Sequence, residues 1–210
     1  MTRTIRNFGL TAHISFSVGW FGAVAGFFAL SIAGLLSQSS QIIRGSYVAM
    51  HLLSWYVILP FCLLSLLTGL IQSLSTQWGL FRHYWIIAKL VLTVIATIVL
   101  LLHMQPITYL GGMAFESTFT ETDYRGLRIQ LLADSGAALL VLLTTIAFSV
   151  YKPWGRTVYG LRKQFGQNSR MTGETSSIKR LWPKYLLLTA GIFVIVTFIL
   201  LHLTGVLKRH

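Results

Sequence analysis

Residues 84–107 read YWIIAKLVLTVIATIVLLLHMQPI. One lysine stands near the start, one histidine near the end, and almost everything between them is aliphatic. A run of 18 or more apolar residues with few charges is the mark of a helix that crosses a bilayer. In hydrocarbon the backbone must satisfy its own polar groups, and a helix does so within one segment. Four further stretches have the same character, at about 10–36, 47–74, 131–151 and 185–207. The reading is therefore an all-α integral membrane helical bundle of five transmembrane helices, forming a single domain over residues 1–210.

The composition agrees. Of 210 residues, 54% are apolar and 10% charged, against about 25% charged in an ordinary soluble domain. Mean hydropathy is +0.69. A soluble globular enzyme, a disordered chain and a disulfide scaffold are all excluded. The single cysteine also excludes a CxxC metal or redox motif.

Position explains the net charge of +12. Between the fourth and fifth stretches, residues 152–184 hold Lys152, Arg156, Arg162, Lys163, Arg170, Lys179, Arg180 and Lys184 against one acid, Glu174. The positive-inside rule places that loop in the cytoplasm, together with Arg3, Arg6 and Arg82. Trp78, Trp85, Trp154 and Trp182 then fall at the inner interface, where indole rings sit well. The expected topology is N-inside and C-outside, with Lys208 and Arg209 as the one dissenting signal. The basic loop is a topology determinant that faces anionic lipid headgroups. No aromatic-interleaved motif supports nucleic acid as a partner. The apolar run after Arg3 and Arg6 is too long for a signal peptide and has no A-x-A site, so it is read as a retained helix.

Ionisable groups inside spans are rare and tend to face a bundle interior or mark a functional site. Four stand at one predicted depth near the outer leaflet, on four different helices: His51, His103, Asp134 and His202. His51 shares a helical face with Ser54, Ile58, Cys62, Ser65, Gly69 and Gln72. His103 shares one with Ala96, Lys89 and Arg82, and Asp134 one with Ala138, Val141, Thr145 and Lys152. His202 shares its face with Ile195 and Gly191. Small and polar residues pack inward in membrane bundles, so the four groups are expected to converge.

Three chemistries suit such a set. Two of the three histidines can hold b-type haem (heme b), with Arg44, Arg125 and Arg128 beside the propionates and Asp134 on a ligand's second nitrogen. Alternatively, His51, His103, His202 and Asp134 make a first shell for zinc, copper or iron, for catalysis or metal handling. The third reading is a buried hydrogen-bond cluster in a non-enzymatic accessory subunit. Met50 and Met104 adjoin two of the histidines but point about 100° away and read as core. His13 and His83 lie near one inner depth and offer a possible second haem site. Gly22 and Gly26 form a close-packing pair on the first helix, suited to packing within the chain, to a homodimer or to a flat cofactor. Pro60 is expected to kink the second span and Pro106 to end the third. No P-loop, G-x-S-x-G elbow, H-E-x-x-H or dinucleotide fingerprint is present.

Two stretches carry a family resemblance. One is Ala12–Leu30, AHISFSVGWFGAVAGFFAL; the other is Leu67–Met104, containing TGLIQSLSTQWGLFRHYWIIAKLVLTVIATIVLLLHM. Together they resemble small bacterial integral membrane proteins distantly similar to the copper-resistance D (CopD) group. In that group's tract a glycine near the membrane edge precedes a lysine early in the next helix, here Gly79 and Lys89. The resemblance implies a bacterial inner-membrane protein and favours haem or copper. The chain departs from the group in having five spans and no Met-rich copper segment. The leading expectation is a b-type haem protein in membrane electron transfer. Its partner would be quinol or another redox partner, within a homodimer or a larger membrane complex.

Overall fold

The computed structural model describes residues 3–75, 83–116 and 124–151. The predicted fifth span, the basic loop and His202 lie outside the described residues. All described elements are helices: α1 (Arg3–Leu36), α2 (Ser40–Leu53), a π-helical turn (Ser54–Ile58), α3 (Leu59–Ser75), α4 (Tyr84–Phe115) and α5 (Arg125–Tyr151). α2, the π turn and α3 form one continuous rod over Ser40–Leu74. Four helices are thus long and apolar enough to cross a membrane, and the protein is a multi-pass membrane protein.

The four described spans form a ring in which each packs on two neighbours. α1 packs on the α2–α3 rod and on α5, and α4 packs on the rod and on α5. Among the described residues α1 and α4 do not meet, so they stand on a diagonal. Adjacent members run antiparallel: Gly34 meets Tyr47 while His13 meets Ser65, and His103 meets Asp134 while Lys89 meets Ser149. The end holding Leu36, Ser40, Phe115 and Arg125 is called upper below, and the end holding Arg3, Ser75, Tyr84 and Tyr151 lower. Large apolar side chains such as Phe8, Val18, Leu67, Leu102 and Leu140 cover the outside. Such a surface suits lipid and not water.

Every described span begins or ends beyond its expected limits. α1 starts at Arg3, the rod at Ser40 and α5 at Arg125. The largest difference is in α4, which passes through Pro106 and continues to Phe115. Proline removes one helix hydrogen bond, but the turns beyond it are held from outside. The Arg44 guanidinium donates to the carbonyl oxygens of Ala114 (3.0 Å) and Phe115 (3.3 Å), which are orphaned at the helix end. With 32 residues, α4 is about 48 Å long and exceeds the ~30 Å hydrocarbon core.

Pro60 acts as a local distortion, as its chemistry requires. Its ring would clash with the carbonyl of Tyr56 in a regular helix. The chain relieves this by widening the preceding turn, and the Leu59 amide reaches back five residues to the Ser54 carbonyl. The inward face of the rod is the one the sequence marks: Ser54, Ile58, Cys62 and Ser65 are all buried.

The glycines that bring helices together are not the Gly22–Gly26 pair, which is exposed and has no tight neighbour in the chain. A Cβ on Gly19 would stand 2.4 Å from the Phe61 ring. One on Gly34 would stand 3.1 Å from the Tyr47 ring, and one on Gly111 2.5 Å from Cβ of His51. These three close approaches set the α1–α3, α1–α2 and α2–α4 spacings.

Candidate functional site

Two of the predicted residues meet directly. His103 Nε2 and Asp134 Oδ2 are 2.6 Å apart, and both side chains are buried. The other ring nitrogen, Nδ1, lies 2.8 Å from the Val99 carbonyl oxygen one turn earlier. A carbonyl only accepts, so Nδ1 carries hydrogen and donates it. Nε2 and the carboxylate then hold a proton between them. Both ring nitrogens of His103 are engaged by protein groups.

The pair borders a chamber at the centre of the ring. Trp20, Val24 and Phe27 of α1 face Leu92, Ala96 and Leu100 of α4 across it, with Ala138 and Leu142 of α5 at the side. Its volume is about 80 Å³. A dry cavity of about 150 Å³ accommodates benzene, so this chamber is far too small for a porphyrin.

His51 is elsewhere. It packs against Gly111 of α4, eight residues above His103, or about 12 Å along the helix axis. The expected common depth of the histidines therefore does not hold for His51 and His103. That expectation counted His51 from the start of the second span at Tyr47 and His103 from the end of the third at Ile107, whereas the packing sets His51 against Gly111, four residues beyond that end. His51 borders an open groove of about 450 Å³, with Leu52, Trp55, Tyr56, Thr108 and Phe115. Trp55 Nε1 donates to Thr108 Oγ1 at 3.0 Å and ties the two walls together. Nδ1 of His51 is buried and has no hydrogen-bond partner. Arg44, seven residues earlier and so on the same helical face, stands at the upper edge, next to Phe115. Two of its five donors are used on the α4 carbonyls.

The other expected cofactor residues divide. Arg125 is exposed in the first turn of α5. Arg128 is buried and acts within the bundle. Its Nε donates to Tyr47 Oη at 2.9 Å, an Nη donates to the Gly34 carbonyl, and its guanidinium carbon lies 5.5 Å from the Tyr47 ring centroid. One side chain thus ties α5 to α1 and α2 just above the chamber. Met50 and Met104 are buried in the core, as expected.

At the lower end, His13 and His83 have different surroundings. His13 Nδ1 lies 3.1 Å from both the Ser65 carbonyl and Thr68 Oγ1 and packs on Gly69. His83 stands at the position before α4, with its ring 6.3 Å from that of Trp85. Sequence reasoning missed a hydroxyl network here. Ser17 Oγ meets Ser65 Oγ at 2.7 Å, and Lys89 Nζ donates to Ser149 Oγ at 2.5 Å. The signal available was the presence of serine and threonine at the same predicted depth as Lys89 and His13.

Among the described residues no three His, Cys, Asp or Glu side chains come together as a metal-binding group. His103 and Asp134 face the chamber, and His51 faces the groove. Comparison with protein-family models, with curated proteins and with solved structures finds no match to this chain.

Proposed function

We propose that the chain is a b-type haem protein of the bacterial inner membrane, with the N-terminus inside, that passes electrons between quinol or a small oxidant and a redox partner. One observation carries this reading: the groove beside His51. Its volume of about 450 Å³ lies in the range of small-molecule sites. Its aromatic and aliphatic walls suit a flat apolar macrocycle. Nδ1 of His51 is packed on Gly111 of α4, which leaves Nε2 as the ring nitrogen that a ligand in the groove would engage. Arg44 at the edge offers free donors to a carboxylate, as propionates require, and Arg125 lies at the same end of the bundle. His202, on the stretch expected to span at 185–207, would be the second histidine to hold the haem. His103 would hold a proton and not the haem, because Asp134 and Val99 occupy its nitrogens.

The haem, when bound, supplies a one-electron redox centre. The residues of the chain bind it, orient it and exclude water. Absorption spectra of the detergent-purified protein, oxidised and dithionite-reduced, test this. A Soret band with sharp α and β bands on reduction is expected. His51→Ala abolishes them, and the double change His103→Leu with Asp134→Leu leaves them in place. A protein that stays colourless when made under haem-replete conditions overturns the reading. A second reading, a non-enzymatic accessory subunit, draws support from the His103–Asp134 pair, which is complete without any ligand. Colour distinguishes the two.

A further inference from the structure

The central chamber is a second space, separate from the groove and unrelated to the haem reading. It exists because α1 and α4 stand on a diagonal and small residues, Ala96 and Ala138, line two of its walls. Among the described residues its lining is apolar except at the Trp20 indole N–H, Ser54, Ser135 and the His103–Asp134 pair. The hydroxyls and the pair are already engaged. Ser54 Oγ donates to the Met50 carbonyl at 2.8 Å and Ser135 Oγ to the Leu132 carbonyl at 2.9 Å. His103 and Asp134 hold each other. An internal water needs two to four polar partners with spare capacity, and the chamber offers few. At about 80 Å³ it has room for only a few heavy atoms. Dry apolar cavities of this order bind small neutral species such as xenon.

We propose that the chamber is a binding site for a small apolar gas molecule of the dioxygen class, held beside the His103–Asp134 pair. Such a molecule dissolves in hydrocarbon and reaches a membrane-embedded chamber from the lipid. Nuclear magnetic resonance of the methyl-labelled full chain in bicelles, under dioxygen and then under nitrogen at equal pressure, tests this. Dioxygen is paramagnetic and relaxes nearby methyl groups. The chamber methyls of Val24, Ile58 and Leu142 are nearly inaccessible (5%, 3% and 5% exposed), whereas Leu101, Leu102 and Leu143 face outward (50%, 57% and 48%). Greater relaxation at the three chamber residues than at the three outward ones is expected. Ala138→Leu fills the space, and loss of that excess with unchanged outward values is expected. Chamber relaxation at or below the outward level in the native chain overturns the proposal. So do nuclear Overhauser contacts between those methyls and internal water. The native-chain comparison decides even if Ala138→Leu does not fold.

Discussion

The chamber and the groove each border one histidine, and the bundle treats the two in opposite ways. His103 is enclosed and both of its nitrogens are engaged; His51 lies in an open groove with Nδ1 buried and unpartnered. In the chamber, polarity has been neutralised by pairing, which leaves an apolar space suited to a small neutral guest. In the groove, an imidazole and the remaining donors of Arg44 stand beside a large apolar wall, which suits a larger ligand with a metal or acidic group. Two residues of one type on neighbouring helices thus carry different chemistry, and the carboxylate of Asp134 makes the difference.

The strongest way to break this contrast is Asp134→Ala. It leaves His103 Nε2 buried and unanswered, and breaking such a pair costs about 3–5 kcal/mol. Unfolding in detergent by heat or denaturant measures the loss. The double change His103→Leu with Asp134→Leu recovers most of it, since a buried ion pair replaced by apolar residues of similar volume is close to neutral. A cost for Asp134→Ala below about 1 kcal/mol would show that the pair does not hold the bundle.

Next in size is Tyr47→Phe, which removes the acceptor for Arg128 Nε above the chamber. A hydrogen bond to a charged group is worth about 1.5–3 kcal/mol, and the same unfolding assay reads it. The groove itself is probed by a glycine pair. Gly111→Ala drives a methyl against Cβ of His51, an atom fixed to its backbone. The helices must part, at a cost of about 1–3 kcal/mol, and haem content is expected to fall with stability. Gly112→Ala meets nothing within 4 Å. It is expected to stabilise slightly, by about 0.5–1 kcal/mol, through helix propensity alone. Equal effects from the two alanines would remove the close contact at His51 from the account.

The membrane class and the approximate positions of the four described helices were legible because they follow from long apolar runs. The inward face of the rod was also legible, because Ser54, Cys62 and Ser65 interrupt an otherwise aliphatic helix at helical spacing. The meeting of His103 with Asp134 could be expected from their depths alone. The position of His51 could not. The length of α4 depends on Arg44, which lies 70 residues away in sequence from the carbonyl it caps. Proline at 106 signals a helix end, and nothing local to residues 108–115 shows that a distant guanidinium overrides it. In the same way, the buried role of Arg128 depends on Gly34 having no side chain, so that Tyr47 lies against the α1 backbone.

The π turn at Ser54–Ile58 has a further consequence, for how this chain tolerates changes in length. The wide turn takes up one residue more than a regular α turn, so Cys62 and Ser65 face inward one position later than regular winding from Met50 and Ser54 would place them. Removing one residue there, such as Val57, would return the turn to regular winding and leave α3 in phase with α2. One residue added to the regular stretch between Leu59 and Cys62 would instead rotate Cys62 and Ser65 by about 100° away from the interior. The rod therefore tolerates a shorter link between His51 and Cys62 better than a longer one.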